Sequence, residues 1–101
     1  MAAKVTVNWS TRAKNDLDNI YMFLTENWTM REAEAMLDIV QKFEELVGQY
    51  SDVFKSSSTF PNCRLAILYR NLTAVYYFDG KTVFILTLFD NRSNDLFRIR
   101  K

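Results

Sequence analysis

The residues of this 101-residue chain best suited to chemistry on a phosphate are three arginines, Arg64, Arg70 and Arg92. A guanidinium offers its N–H donors as a planar fork that matches the oxygens of a phosphate or a carboxylate. Arg64 and Arg70 bracket the apolar run LAILY, and Arg92 follows the apolar run FILTLF in the polar stretch Asp90-Asn91-Arg92-Ser93-Asn94. Histidine is absent, which removes the commonest general base at neutral pH and the commonest metal ligand. Catalysis by this chain would have to rest on Lys, Arg, Tyr, Glu or Asp. Cys63 is the only cysteine, so no internal disulfide and no cysteine-based metal site can form. It is read as a small, half-buried side chain, and no metal or cofactor is implied.

The arginines are positioned by the stretch from Cys63 to Asn94, CRLAILYRNLTAVYYFDGKTVFILTLFDNRSN. Three apolar runs rich in Val, Ile, Phe, Tyr and Thr predict an antiparallel meander with strands over about 64–69, 72–78 and 82–89. Asn71 falls in the first turn, and Asp79-Gly80 suits a type I′ turn with positive φ at both central residues. Tyr69, Tyr76 and Tyr77 are expected to present half-exposed rings on the open face of the sheet.

The N-terminal half must supply the other layer. KVTVNW alternates Val5, Val7 and Trp9 against polar neighbours, predicting a strand over about 4–9. Ser10 or Thr11 can cap a helix over about 11–27, whose apolar face is Ala13, Leu17, Ile20, Tyr21, Leu24 and Trp28, with Asp16, Asp18 and Glu26 off it. Thr29-Met30-Arg31-Glu32 has the spacing of a capping box, in which hydroxyl and carboxylate each accept from the other residue's backbone. It opens a second helix over about 30–47, with the stripe Ala33, Met36, Leu37, Val40, Phe43 and Val47. Gly48 is expected to end it in the left-handed region. Residues 49–62 carry Ser56-Ser57-Ser58-Thr59 and the only Pro, and are read as irregular, with a short extended piece at Val53 and Phe54. The tail Asp95–Lys101 is an edge extension or a short helix. The order β-α-α-β-β-β predicts a single α+β domain over 1–101, a helical hairpin packed on a mainly antiparallel sheet.

Composition narrows the function. Hydrophobic residues make up 49% of the chain, with two Gly and one Pro, as expected of one packed domain. Charged residues in the first turns and the absence of a long apolar run argue against a signal peptide or a membrane span, so a cytoplasmic location is expected. The formal net charge is +1, yet it is unevenly spread. Residues 1–61 carry six Lys/Arg against nine Asp/Glu, and residues 62–101 carry seven against three. The sheet half is therefore the side suited to phosphates or an acidic partner.

The stretches VNWSTRAKNDLDNIYMFL, EELVG, CRLAILYRN, VYYF and ILTLFDNR, in this order from about Val5 to Asn94, resemble the RelE/ParE family of toxins from bacterial type II toxin–antitoxin systems. The resemblance rests most on Trp9-Ser10 with Ala13, Asp16-Leu17 and Ile20, and on Leu88-Phe89-Asp90-Asn91-Arg92. It implies a small cytoplasmic toxin silenced by a cognate antitoxin whose C-terminal segment wraps it, a hetero-oligomer with no membrane partner. Two modes of action occur on this fold. A ParE-like protein poisons DNA gyrase by binding. A RelE-like protein cleaves mRNA on the ribosome without a metal, by attack of a ribose 2′-hydroxyl on the adjacent phosphate.

The resemblance places Arg92 where the nuclease branch holds a basic residue near the scissile phosphate, and Arg64 at an arginine widespread in the family. The catalytic arginine of the third strand is replaced by Leu72, with Arg70 two residues away, and the C-terminal tyrosine by Phe97. The ParE-like reading is preferred on those two replacements. The RelE-like nuclease using Arg64, Arg70 and Arg92 is the alternative, and an inactive antitoxin-binding module is a further one.

Overall fold

The computed structural model describes residues 4–69 and 71–92; Arg70 and the tail 93–101, with Phe97, lie outside the described residues. The chain runs β1 (Thr6–Trp9), α1 (Thr11–Asn27), α2 (Met30–Gln49), β2 (Arg64–Tyr69), β3 (Leu72–Phe78) and β4 (Thr82–Asp90). Strand order is β1-β4-β3-β2, with β1 parallel to β4 and the other neighbours antiparallel. The two helices pack on one face of this mixed sheet, the expected α+β architecture. Among the described residues no helix is long and apolar enough to cross a membrane.

Each helix starts at a hydroxyl cap. Ser10 Oγ accepts the Ala13 N–H at 2.9 Å, and Thr29 Oγ1 accepts the Glu32 N–H at 3.0 Å. Ala13, Ile20 and Leu24 of α1 and Ala33, Met36, Val40, Phe43 and Val47 of α2 are buried against Ala74, Tyr76, Ile85 and Leu88 of the sheet. Two residues of the expected apolar stripes are not. Trp28 is 53% exposed because α1 stops at Asn27 and Trp28 is its C-cap. Leu37 is 38% exposed because it sits about 100° round the helix from Met36.

Gly48 does not end α2. The helix continues to Gln49, and Gly48 is buried where β1 crosses, its carbonyl accepting the Val5 N–H at 2.9 Å. A methyl group there would meet only Val7 Cγ2 at 3.8 Å and the Val5 carbonyl at 3.9 Å, ordinary contacts. The β3–β4 connection is also not a type I′ turn. Gly80 has φ 97°, whereas Asp79 lies in the negative-φ region. Its carboxylate accepts the Lys81 and Thr82 N–H groups at 2.8 and 2.7 Å, which holds its pKa below the usual carboxylate value. A side chain thus closes the loop that a second left-handed residue would otherwise close.

Tyr76 is fully buried on the helix side, not half exposed like Tyr69 and Tyr77. Its ring meets Phe43 and Phe54 edge-on, and its hydroxyl donates to the Ser51 carbonyl at 2.8 Å. Residues 49–62 fold round the outer edge of β2. Phe54 packs on the helix side, Ser56 bridges Arg64, and Phe60 stacks on Phe89 of the opposite face at 6.4 Å. The extended contact is thus at Ser56 and not at Val53 and Phe54.

Gly48→Ala should raise stability by about 0.5–1 kcal/mol, since the site accepts a methyl and the helix gains a better former, whereas Gly80→Ala should lower it by about 1–2 kcal/mol. Urea unfolding of both variants checks the contrast. Burial raises the Tyr76 pKa above the ordinary 10.0. Above that pH the unfolded chain releases its proton while the folded one keeps it, so stability should fall as pH rises past about 10. Tyr76→Phe should remove that alkaline contribution at a cost of about 1 kcal/mol at neutral pH, seen in unfolding midpoints across the pH range.

Candidate functional site

The site begins with an irregularity in β4. Val75 pairs with Thr87 but Tyr76 pairs with Ile85, so Leu86 is an extra residue. The bulge lets Leu88 and Asp90 face the helices together with their partners Ala74 and Leu72. Helix α1 holds it in place. Ser10 Oγ donates to the Leu86 carbonyl at 2.8 Å, and the Asp16 carboxylate accepts from Thr87 Oγ1 at 2.6 Å and from the Leu88 N–H at 3.1 Å. Asp16, expected on the exposed side of its helix, is the rivet between helix and sheet.

Asp90, the last residue of β4, is 0% exposed. Its Oδ1 accepts from the Arg92 N–H and Nε at 2.9 and 3.1 Å, and its Oδ2 from Arg92 Nη2 at 2.9 Å. Arg92 Nη1 donates to Glu32 Oε1 of α2 at 2.7 Å, and the guanidinium carbon lies 5.4 Å from the centroid of the Trp28 ring. The Arg92 side chain is 9% exposed and that of Glu32 44%. Hydrogen bonding to Asp90 raises the Arg92 pKa, against burial, which acts the other way. The arginine is cationic at every relevant pH.

Beside Arg92 opens a cleft of about 150 Å³ lined by Glu32, Ala35, Met36, Ile39, Tyr69 and Leu72. A second bulge makes Tyr69 part of it: Ile67 pairs with Thr73 but Tyr69 pairs with Leu72, which turns the ring to the helix side. Leu72, where the resemblance places an arginine in nucleases, is 1% exposed and forms the cleft wall.

Arg64 lies elsewhere. It stands beside Tyr76, with Nη1 donating to the carbonyls of Phe54 at 2.6 Å and Asp52 at 3.3 Å. Tyr69 lies five steps further along the same strand, about 17 Å at the rise of a β-strand. The structure therefore does not bring Arg64 and Arg92 together, and Arg70 lies outside the described residues. Among the described residues no three His, Cys, Asp or Glu side chains converge on a metal position.

No family model matches the sequence, and no curated protein matches it. Solved structures do match. A chain of the chromosomal ParDE TA system from P. aeruginosa superposes with a TM-score of 0.74 at 21% identity, covering 86% of this chain and 96% of that one. A conserved hypothetical protein from Helicobacter pylori gives 0.57 at 16%, covering 87% and 96%. A chain of the E. coli DinJ-YafQ toxin-antitoxin complex gives 0.58 at 8%, covering 89% and 96%. The fold of this chain is thereby the RelE/ParE-like one, with the helical hairpin, the four-stranded mixed sheet and the strand order described above.

Arg92→Met should leave Asp90 buried without its counter-charge and cost about 3–5 kcal/mol. The double change with Asp90→Asn should recover most of that loss. Chemical denaturation of the two variants beside the parent checks the difference.

Proposed function

We propose that this chain is the toxin of a type II toxin–antitoxin pair, arresting growth in the ParE manner by binding DNA gyrase, and silenced by a cytoplasmic antitoxin that binds it in a hetero-oligomer. The fold likeness to a ParDE chain supports the class. The observation that favours binding over cleavage is the engagement of Arg92. Asp90 and Glu32 together take Nε, Nη2 and Nη1, and the side chain is 9% exposed. A cation that must meet charge developing on a scissile phosphate works through preorganised, unspent donors. Here three of the five guanidinium N–H groups end on carboxylates, and Arg64 donates through Nη1 to backbone carbonyls at the other end of its strand.

One observation favours the nucleolytic alternative: Tyr69 lines the same cleft as Arg92, so a phenol and a guanidinium share one wall system. In that reading the chain is a metal-independent endoribonuclease acting on ribosome-bound mRNA.

Tight induction of the chain in bacteria carrying an SOS reporter distinguishes these. The expected result is loss of viable counts with strong reporter induction, together with inhibition of purified gyrase in a supercoiling assay. Loss of viability with a silent reporter would overturn the gyrase reading in favour of translation. Normal growth with soluble protein present would reduce the chain to an inactive antitoxin-binding module.

A further inference from the structure

We propose that the outer edge of the Arg92 guanidinium is a binding position for a carboxylate carried by a partner polypeptide, and that Glu32 is its displaceable occupant. This rests on the reading of the chain as a protein that acts by binding. The two contacts of Arg92 differ in kind. Asp90 holds Nε and Nη2 from a position that is 0% exposed, so that contact is part of the core. Glu32 holds Nη1 at 2.7 Å from a side chain that is 44% exposed, so that contact faces water and can exchange.

Glu32 also has a second seat. It lies three residues after the cap Thr29, whose hydroxyl already accepts the Glu32 N–H at 3.0 Å. The reciprocal half of a capping box is a bond from the Thr29 N–H to the Glu32 carboxylate. In the structure that carboxylate reaches across to Arg92 instead. On release it closes the box, still at the positive end of α2, where an acidic side chain is favoured. The switch therefore has two defined positions for one carboxylate.

The chemistry of the incoming group follows from charge and volume. Exchange of one carboxylate for another leaves the count at Arg92 unchanged. A nucleic-acid strand would bring a row of phosphates towards Asp90 and Glu32. The adjoining cleft, about 150 Å³ between Met36, Ile39, Leu72 and Tyr69, is smaller than the roughly 300–1,000 Å³ of small-molecule pockets and suits one apolar side chain. The fitting partner is a peptide segment with an Asp or Glu next to an aliphatic or aromatic residue.

The test is an NMR titration of the full chain with the peptide Ac-Leu-Glu-Leu-Leu-NH2, its Gln counterpart and a short oligouridylate, following the Arg92 Nε–H and the Thr29 amide. The expected result is that the Glu peptide moves both signals and that the Gln peptide binds at least about tenfold more weakly. Glu32→Ala should bind the Glu peptide about fivefold more tightly, because the competitor is gone. Glu32→Gln keeps the side-chain shape and should shift affinity the same way, with cooperative thermal unfolding showing that both variants fold. Equal affinity in all three proteins, equal binding of the Glu and Gln peptides, no movement at Arg92, or preference for the oligouridylate would each overturn the proposal. Peptide exchange in a chain that fails to arrest growth would remove the toxin reading and leave this site standing. The converse would do the opposite.

Discussion

One extra residue in β4, Leu86, decides which side of the sheet the end of that strand serves. Side chains alternate along a strand, so an uninterrupted register from Ile85 onward would send Leu88 and Asp90 to the face away from the helices. The bulge leaves backbone groups out of step with β3, and α1 supplies their partners through Ser10 and Asp16. A buried amide without a partner costs more than most contacts gain, so these two side chains hold the strand in its bulged state. Everything built around Arg92 stands downstream of that choice.

The pairing of Asp90 with Arg92 then sets the place of the helical hairpin. A carboxylate with no exposed surface is tolerated only beside a counter-charge with good hydrogen-bond geometry, and three bonds from Arg92 provide it. The remaining edge of the guanidinium reaches α2, and its face reaches the indole at the end of α1. One side chain thus joins the sheet end to both helices close to the turn between them. The result is a stiff platform with a small apolar cleft at its side, a construction suited to holding a partner.

Much of the fold was legible because its elements carry strong local signals. The hydroxyl caps, the stripe Met36, Val40, Phe43 and Val47, and the three apolar runs predicted element order and most boundaries. What local patterns could not carry was set by packing between distant segments. Gly48 looked like a helix end because a glycine at the close of an apolar stripe usually is one, but the helix persists where β1 crosses it. Asp16 looked like surface because its role is to meet a hydroxyl and a backbone N–H of β4 more than 70 residues away. Arg92 was visible as a residue, through its place after the last apolar run and the family resemblance. Its partners were not, since nothing in Thr29-Met30-Arg31-Glu32 reveals that the glutamate leaves its own cap to reach the sheet.

The parallel pairing of β1 with β4 joins residues 6–9 to residues 82–85, nearly the whole described length apart. Closing so long a loop carries an entropy cost that only late contacts offset, and pairings of this kind form slowly. On the ribosome, the first strand has no neighbour in its sheet until the last strand has emerged. Ser10 and Asp16 likewise have no bulge to hold before then. The helical hairpin is made first, with its apolar side uncovered, and the platform for Arg92 is assembled only once β4 is available to pair with β1.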